Sequence, residues 1–248
     1  MKEDHMLNGQ LKPGYNVQIS SESQFVIHYS LHQTTNDIHT LKPHLESYQY
    51  QYDTLPDYLT ADAGYGSEEN YDLLEQKGVE SYVKYNTFDK EEQTYKSKTK
   101  KKAKDDFHRD NVYYNKDKDC YICPMGQPME KVHEKKKKTK SGYSQTYSVY
   151  QAQNCQGCPL RGICHKSKYN RKIEINHNLE RHKQIIRKRL TSDDGLQRRK
   201  KRTADVEPVF AHIKSNRNFK RFTHKGIEKV ELEFGLHALA HNMRKIVA

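Results

Sequence analysis

ADAGYGSEENYDLLEQKGVESYVKY, residues 61–85, reads as the end of a strand, a tight turn, a helix and a second strand. Gly64 and Gly66 supply the turn. Ser67 stands where an N-cap oxygen is needed, and Glu68 and Glu69 put carboxylates beside the first-turn amides that have no helical acceptor. The helix is expected to run to about Lys77 and to end at Gly78. VESYVKY (79–85) then has the β-branched and aromatic content of a strand. YLTAD (58–62) leads into the turn as another strand, which leaves Asp62 at a strand end.

Working outward, Tyr15, Val17 and Ile19 alternate, SSES turns the chain, and Phe25, Val26, Ile27 and Tyr29 form a return strand within 14–31. Residues 37–50 are partly helical, with Ile38, Leu41 and Leu45 on one face and Pro43 in the first turn or two. Strands interleaved with helices define an α/β class. The pattern stops near Asn86. Polar, lysine-rich sequence follows, with KSKTKKKAK at 96–104 and EKKKKTK at 134–140, and five cysteines lie between 120 and 164. From about Arg181 basic helical sequence resumes. RTADVEPVFAHIK (202–214) and residues 226–247 carry apolar side chains at helical spacing, and Pro208 predicts a kink or a start near 205. The resulting division is 1–85, 86–180 and 181–248.

The 248 residues carry 44 Lys and Arg against 32 Asp and Glu, a net charge of +12 before 14 histidines are counted. Only 33% of the chain is apolar and 31% is charged, so much of it must lie on surface or on an interaction face. No apolar run approaches a membrane span, and MKEDHMLNGQ at the start has no signal core, which excludes membrane and secreted classes. The basic balance points to a polyanionic partner, most often nucleic acid; a solvated basic surface is the alternative.

The cysteines are Cys120, Cys123, Cys155, Cys158 and Cys164. Two C-x2-C pairs and a following C-x5-C suit tetrahedral thiolate coordination of zinc better than a disulfide framework. Cys123, Cys155, Cys158 and Cys164 are the expected ligands, with Cys120 in place of Cys164 as the second choice. Reduced free thiols and redox chemistry stay open, and His133 and His165 stand close enough in sequence to ligate. Asp62 is either a site acid at the end of a sheet strand or a solvated turn residue. Glu207 lies seven residues before Lys214 on nearly the same helical face. It either shares a cation with Asp62 or neutralises the basic run around it.

Residues 61–85, the CPMG…CQGCPLRGIC insert and RTADVEPVFAHIKSNRNFKRFTHKG (202–226), together with KEDHMLNGQLKPGYNVQ (2–18) and TTND (34–37), resemble bacterial insertion-sequence DDE transposases in their C-terminal part. The nearest group is the IS1182-like one, within the IS4/IS5-like transposases. The resemblance implies a ribonuclease H-like sheet with helices, interrupted by the cysteine-rich, zinc-binding insertion. It implies two Mg2+ or Mn2+ ions on an Asp-Asp-Glu triad, with Asp62 the second acid and Glu207 the third. Arg202 and Lys214 match DNA-contacting positions, and Lys200 and Lys201 extend that basic face; Arg199 stands where the family often has tyrosine. The first aspartate should lie on a strand upstream of KEDHM. Asp4 and Asp37 are the only early aspartates, neither in an apolar strand, so the sheet is expected to lack its first, central strand. The chain then reads as a C-terminal portion whose partners are the terminal inverted repeats, target DNA, an N-terminal transposase half and a second copy, in the bacterial cytoplasm at the nucleoid. The alternative is a non-catalytic basic zinc module that binds DNA through its lysine runs.

Overall fold

A computed structural model describes residues 2–3, 11–12, 14–96, 107–216, 219 and 221–247. Asp4 and, apart from Lys96, the lysine run at 96–104 lie outside the described residues. The chain divides into two compact units, one made of 1–86 with 184–248 and the other of 87–183.

In the first unit a short antiparallel pair, β1 (Lys2–Glu3) and β2 (Leu11–Lys12), precedes a hairpin of β3 (Asn16–Glu22) and β4 (Phe25–His32). Ser23 and Gln24 turn the hairpin, both at positive φ, at the end of the SSES expected to do so and one residue beyond it. Helix α1 (Leu41–Tyr52) follows a 3-10 turn at Asp37–His39; Pro43 falls in its first turn, where no helical donor is lost, and Leu41, His44 and Leu45 are its buried face. The strand expected over 58–62 is only β5 (Tyr58–Leu59), paired in parallel with β6 (Glu80–Ser81). Helix α2 (Glu68–Gln76) joins them, capped by Ser67, whose Oγ accepts from Asn70 N at 3.2 Å. Val83 and Tyr85 are buried without belonging to a ladder, so beyond Ser81 the apolar run at 79–85 records burial rather than pairing.

Helix α3 (Phe88–Lys96) opens the second unit, and α4 (His177–Thr191) leads back to the first. Helix α5 (Asp193–Ala211) begins twelve residues before the expected start, capped by Ser192 Oγ, and runs through Pro208. Proline cannot donate to the carbonyl four residues back. Here that carbonyl, on Ala204, accepts instead from Gln24 Nε2 at 3.0 Å. A π-helical segment, His212–Asn216, continues the helix. Helix α6 (Ile227–Val247) packs with α5 on the hairpin through Val26, Leu31, Val209, Ile213, Val230 and Phe234. Asn242 donates to and accepts from the backbone of Val26 at 2.8 and 2.9 Å, and Gly235 lets α6 approach the Tyr29 hydroxyl, which a Cβ would meet at 2.4 Å. The outer side of α6 leaves Leu232, Leu236, Leu239 and Met243 more than half exposed.

The second unit is a five-stranded antiparallel sheet in the order β11-β10-β9-β8-β7. Its strands are β7 (Tyr113–Asn115), β8 (Cys120–Ile122), β9 (Pro128–Lys138), β10 (Ser144–Ala152) and β11 (Lys172–Ile175). Tyr121, Met129, Tyr150, Ala152, Ile173 and Ile175 form its core. The fully buried Tyr150 keeps its hydroxyl satisfied by donating to Asp119 at 2.6 Å beside His177 Nε2 at 2.8 Å. The molecule is α/β, and its strands flanked by helices are consistent with a ribonuclease H-like fold. Among the described residues no helix is long and apolar enough to cross a membrane.

Candidate functional site

The strand pairs β3–β4 and β5–β6 are separate ladders among the described residues, and the open edges of β3 and β5 line one cavity of about 410 Å3. Val17, Ile19, Ile27, Leu41 and Leu45 give it an apolar floor; Arg198, Lys201, Arg202 and Asp205 of α5 form a charged wall. Asp62 sits at its mouth, 64% exposed, and accepts from its neighbour's amide, Ala63 N, at 2.7 Å. Arg202 Nη2 lies 3.8 Å from Asp62 Oδ2.

Asp37 lines the same cavity. Its Oδ1 accepts from Asn16 Nδ2 at 2.7 Å and Gln18 Nε2 at 3.3 Å. A Cβ on Gly64 would lie 3.2 Å from Asp37 Oδ2, so the glycine admits this carboxylate against the Asp62 turn. Tyr65 lies between these charges: burial and then Asp37 push its hydroxyl up, Arg202 opposes, and Asp62 adds a smaller upward push. Gly66 has a stricter duty, since a Cβ there would fall 2.3 Å from the Lys84 carbonyl oxygen.

The remaining expected site residues are placed less centrally. Lys201 lines the cavity, whereas Lys200, Glu207 and Lys214 are exposed and do not. At about 100° per residue, Glu207 stands roughly half a turn around α5 from Asp205. Lys214 Nζ lies 4.8 Å over the Phe210 ring. Asp205 and Arg198 are what reading the sequence missed. They stand three residues after and four before Arg202, so the helical period would have found them once 193–211 was known to be helix. Among the described residues, neither Asp62 nor Glu207 belongs to a group of three donors lying within 4.8 Å of one another.

In the second unit Cys123, Cys155, Cys158 and Cys164 line one small cavity of about 20 Å3 with His165 and Arg171. Cys120 does not; it is buried on β8, opposite Glu130 of β9. Two tight turns present the sulfurs: Cys123 O accepts from Gly126 N at 2.8 Å and Cys158 O from Arg161 N at 3.0 Å. Arg171 donates its amide to Cys155 Sγ at 3.4 Å and its guanidinium to Cys164 Sγ at 2.8 Å. His165 Nδ1 is buried without a hydrogen-bond partner, and burial, then Arg161 and Arg171, hold its basicity below the usual range. No three of the sulfurs lie within 4.8 Å of one another, so gripping a single ion requires the two turns to close.

With this geometry in hand, comparison with protein families defines the class: a family model described as Transposase DDE domain matches residues 122–247. The match spans half of the chain, and the chain belongs to that family. It includes Cys123, Cys155, Cys158, Cys164, α5 and Glu207 but begins after Asp62 and Cys120. Searches of curated proteins and of solved structures each found no match.

Proposed function

We propose that this chain is the C-terminal part of a metal-dependent DNA transposase of the insertion-sequence type, cleaving and joining strands at the element's ends on the bacterial nucleoid. The observation that carries the reading is the cavity at which Asp62, Asp37 and the cationic face of α5 converge, in a member of the DDE family. Arg198, Lys201 and Arg202 are suited to receive a phosphodiester, with Lys200 and Lys214 extending the basic surface. Asp62, with Glu207 as the family's third acid, would hold Mg2+ or Mn2+ through hard oxygen donors. Such an ion polarises the scissile phosphate and lowers the pKa of an attacking water. The acids in this structure fit that role incompletely, because they form no three-donor cluster. A further strand seated between β3 and β5, carrying the first aspartate and supplied by an N-terminal transposase half, would pair both open edges and complete the set. The exposed Leu232, Leu236, Leu239 and Met243 recur every three or four residues along α6, a self-complementary stripe for a second copy.

In the other unit Cys123, Cys155, Cys158 and Cys164 would hold a structural zinc once their two turns close; the four thiols fit in kind and line one cavity, and Cys120 would be the spare. This site also favours the second reading, a non-catalytic zinc-containing DNA-binding module, since it needs no acidic cluster.

The test is nicking of labelled terminal-repeat duplex in Mg2+ or Mn2+. Cleavage that disappears in Asp62→Ala and in Glu207→Ala upholds the enzyme. Salt-sensitive binding with no cleavage, even after the N-terminal half is added, leaves the binding module.

A further inference from the structure

The second lysine run is not a loop. Residues 134–138 continue β9 and pair with Ser144–Ser148 of β10, from Glu134↔Ser148 to Lys138↔Ser144. The neighbouring strands stop short of them: β11 pairs β10 only from Ser148 to Gln151, and β8 pairs β9 only from Pro128 to Glu130. Among the described residues, Lys135–Lys138 and Ser144–Tyr147 therefore form a ribbon of two strands with no third strand on either edge. Gly142 at φ +87° closes its tip, with the Gly142 amide donating to Thr139 O at 3.0 Å.

Strand alternation sorts its lysines onto two faces. Lys135 and Lys137 share Glu174, at 3.3 and 2.8 Å, and Lys137 lies 4.6 Å over the Tyr147 ring. Lys136 and Lys138 are on the opposite face. Their cross-strand neighbours are the short hydroxyl residues Thr146 and Ser144; among the described residues neither lysine is in a salt bridge, and Lys136 acts on Glu134 only through the longer-range charge that helps lower its pKa. Glu134, the acid on that side, is engaged by Lys131 at 2.8 Å. The result is a cationic face with Lys140 at the tip.

We propose that this ribbon is a DNA arm that lies in the major groove of a duplex, Lys136, Lys138 and Lys140 meeting the phosphates while Ser144 and Thr146 face into the groove. A two-stranded ribbon fits the ~12 Å width of that groove in B-form DNA. Alternate strand residues are ~6.8 Å apart, so Lys136 and Lys138 can reach different phosphates. The choice of DNA over other polyanions rests on the function proposed above; the arm itself rests on the ribbon.

Fluorescence anisotropy with the full chain and a labelled DNA duplex tests it. Lys136→Glu with Lys138→Glu should weaken binding by about tenfold or more and flatten the salt dependence by about two in log–log slope, as loss of two phosphate contacts requires. Lys136→Gln with Lys138→Gln should flatten it by the same amount with a smaller loss, and circular dichroism should stay as in the parent. Unchanged affinity and slope would overturn the arm. So would an equal loss on duplex RNA, whose deep, narrow major groove excludes a ribbon. If cleavage is never seen but the charge reversal still removes salt-sensitive DNA binding, the enzyme reading fails and the arm stands.

Discussion

Arg202 of α5 reaches to 3.8 Å from the carboxylate of Asp62, joining a turn near the start of the chain to a helix near its end. Because Asp62 is 64% exposed, solvent screens the pair. Arg202→Ala should cost less than about 1 kcal/mol in stability. It should weaken duplex DNA binding more clearly, because it removes a cation from the cavity wall. Thermal melts beside anisotropy titrations separate the two; a large melting shift with unaltered binding would mark Arg202 as a structural residue only.

Gly66→Ala forces a methyl to 2.3 Å from the Lys84 carbonyl oxygen, a backbone atom that cannot swing aside. We expect a loss of about 2–3 kcal/mol. Gly142→Ala, at the hairpin tip with nothing within 4 Å of its Cβ, pays only for positive φ and should lose about 1 kcal/mol. Urea denaturation of the two variants checks the order.

Purified protein should hold about one zinc per chain if the four cavity thiols act together. Cys155→Ser should release it and Cys120→Ser should retain it, because Cys120 lies on β8 away from the other sulfurs. Chelator-coupled zinc assays on both variants give the answer, and zinc lost from Cys120→Ser would reassign the ligand set.

His44 is buried, its ring nitrogens bound to Ser20 Oγ at 2.8 Å and Ser30 Oγ at 2.6 Å. Burial, reinforced by His28 and His32, lowers its pKa to about 3. The unfolded chain therefore binds a proton that the folded chain refuses. Stability is complete above the unfolded value near 6.5 and falls as pH drops toward about 3, by about 5 kcal/mol at most from this group. His32, lowered by burial, acts in the same sense. His44→Gln should flatten stability against pH between 6.5 and 4 while lowering stability at pH 7; an unchanged slope would assign acid sensitivity elsewhere.

Glu233 on α6 gathers the amides of Thr223 and His224 at 2.9 and 3.0 Å and both of their side chains. Burial opposes its ionisation, but these donors hold its pKa down to about 2. Its contribution is complete above the unfolded value of 4.5 and is lost as pH falls through about 2. Glu233→Gln should cost about 1–3 kcal/mol at pH 7 and progressively less as pH falls through about 2, where the parent becomes protonated too. Equal melting temperatures at pH 7 would refute this anchoring role.

What the sequence determined by itself was local. Ser67 and Gly78 bound α2, alternation shapes the β3–β4 hairpin, apolar spacing drives α5 and α6 together, and two proline-containing turns present cysteines in pairs. Each depends on neighbours along the chain, where propensity and periodicity act directly. Tertiary structure decided what depends on partners distant in sequence. Pro208 stays inside α5 because Gln24 serves the carbonyl it orphans, and of the largely buried 79–85 run only Glu80 and Ser81 pair as a strand. A lysine run that shows only charge in the sequence becomes one strand of a ribbon because β10 pairs with it along one edge. Asp37 and Asp205 reach the Asp62 cavity through a turn and a helix face; Asp205 follows the helical period only once α5 is known, and the Asp37 contact leaves no pattern in linear sequence. Such encounters are settled by packing, which weighs all segments at once.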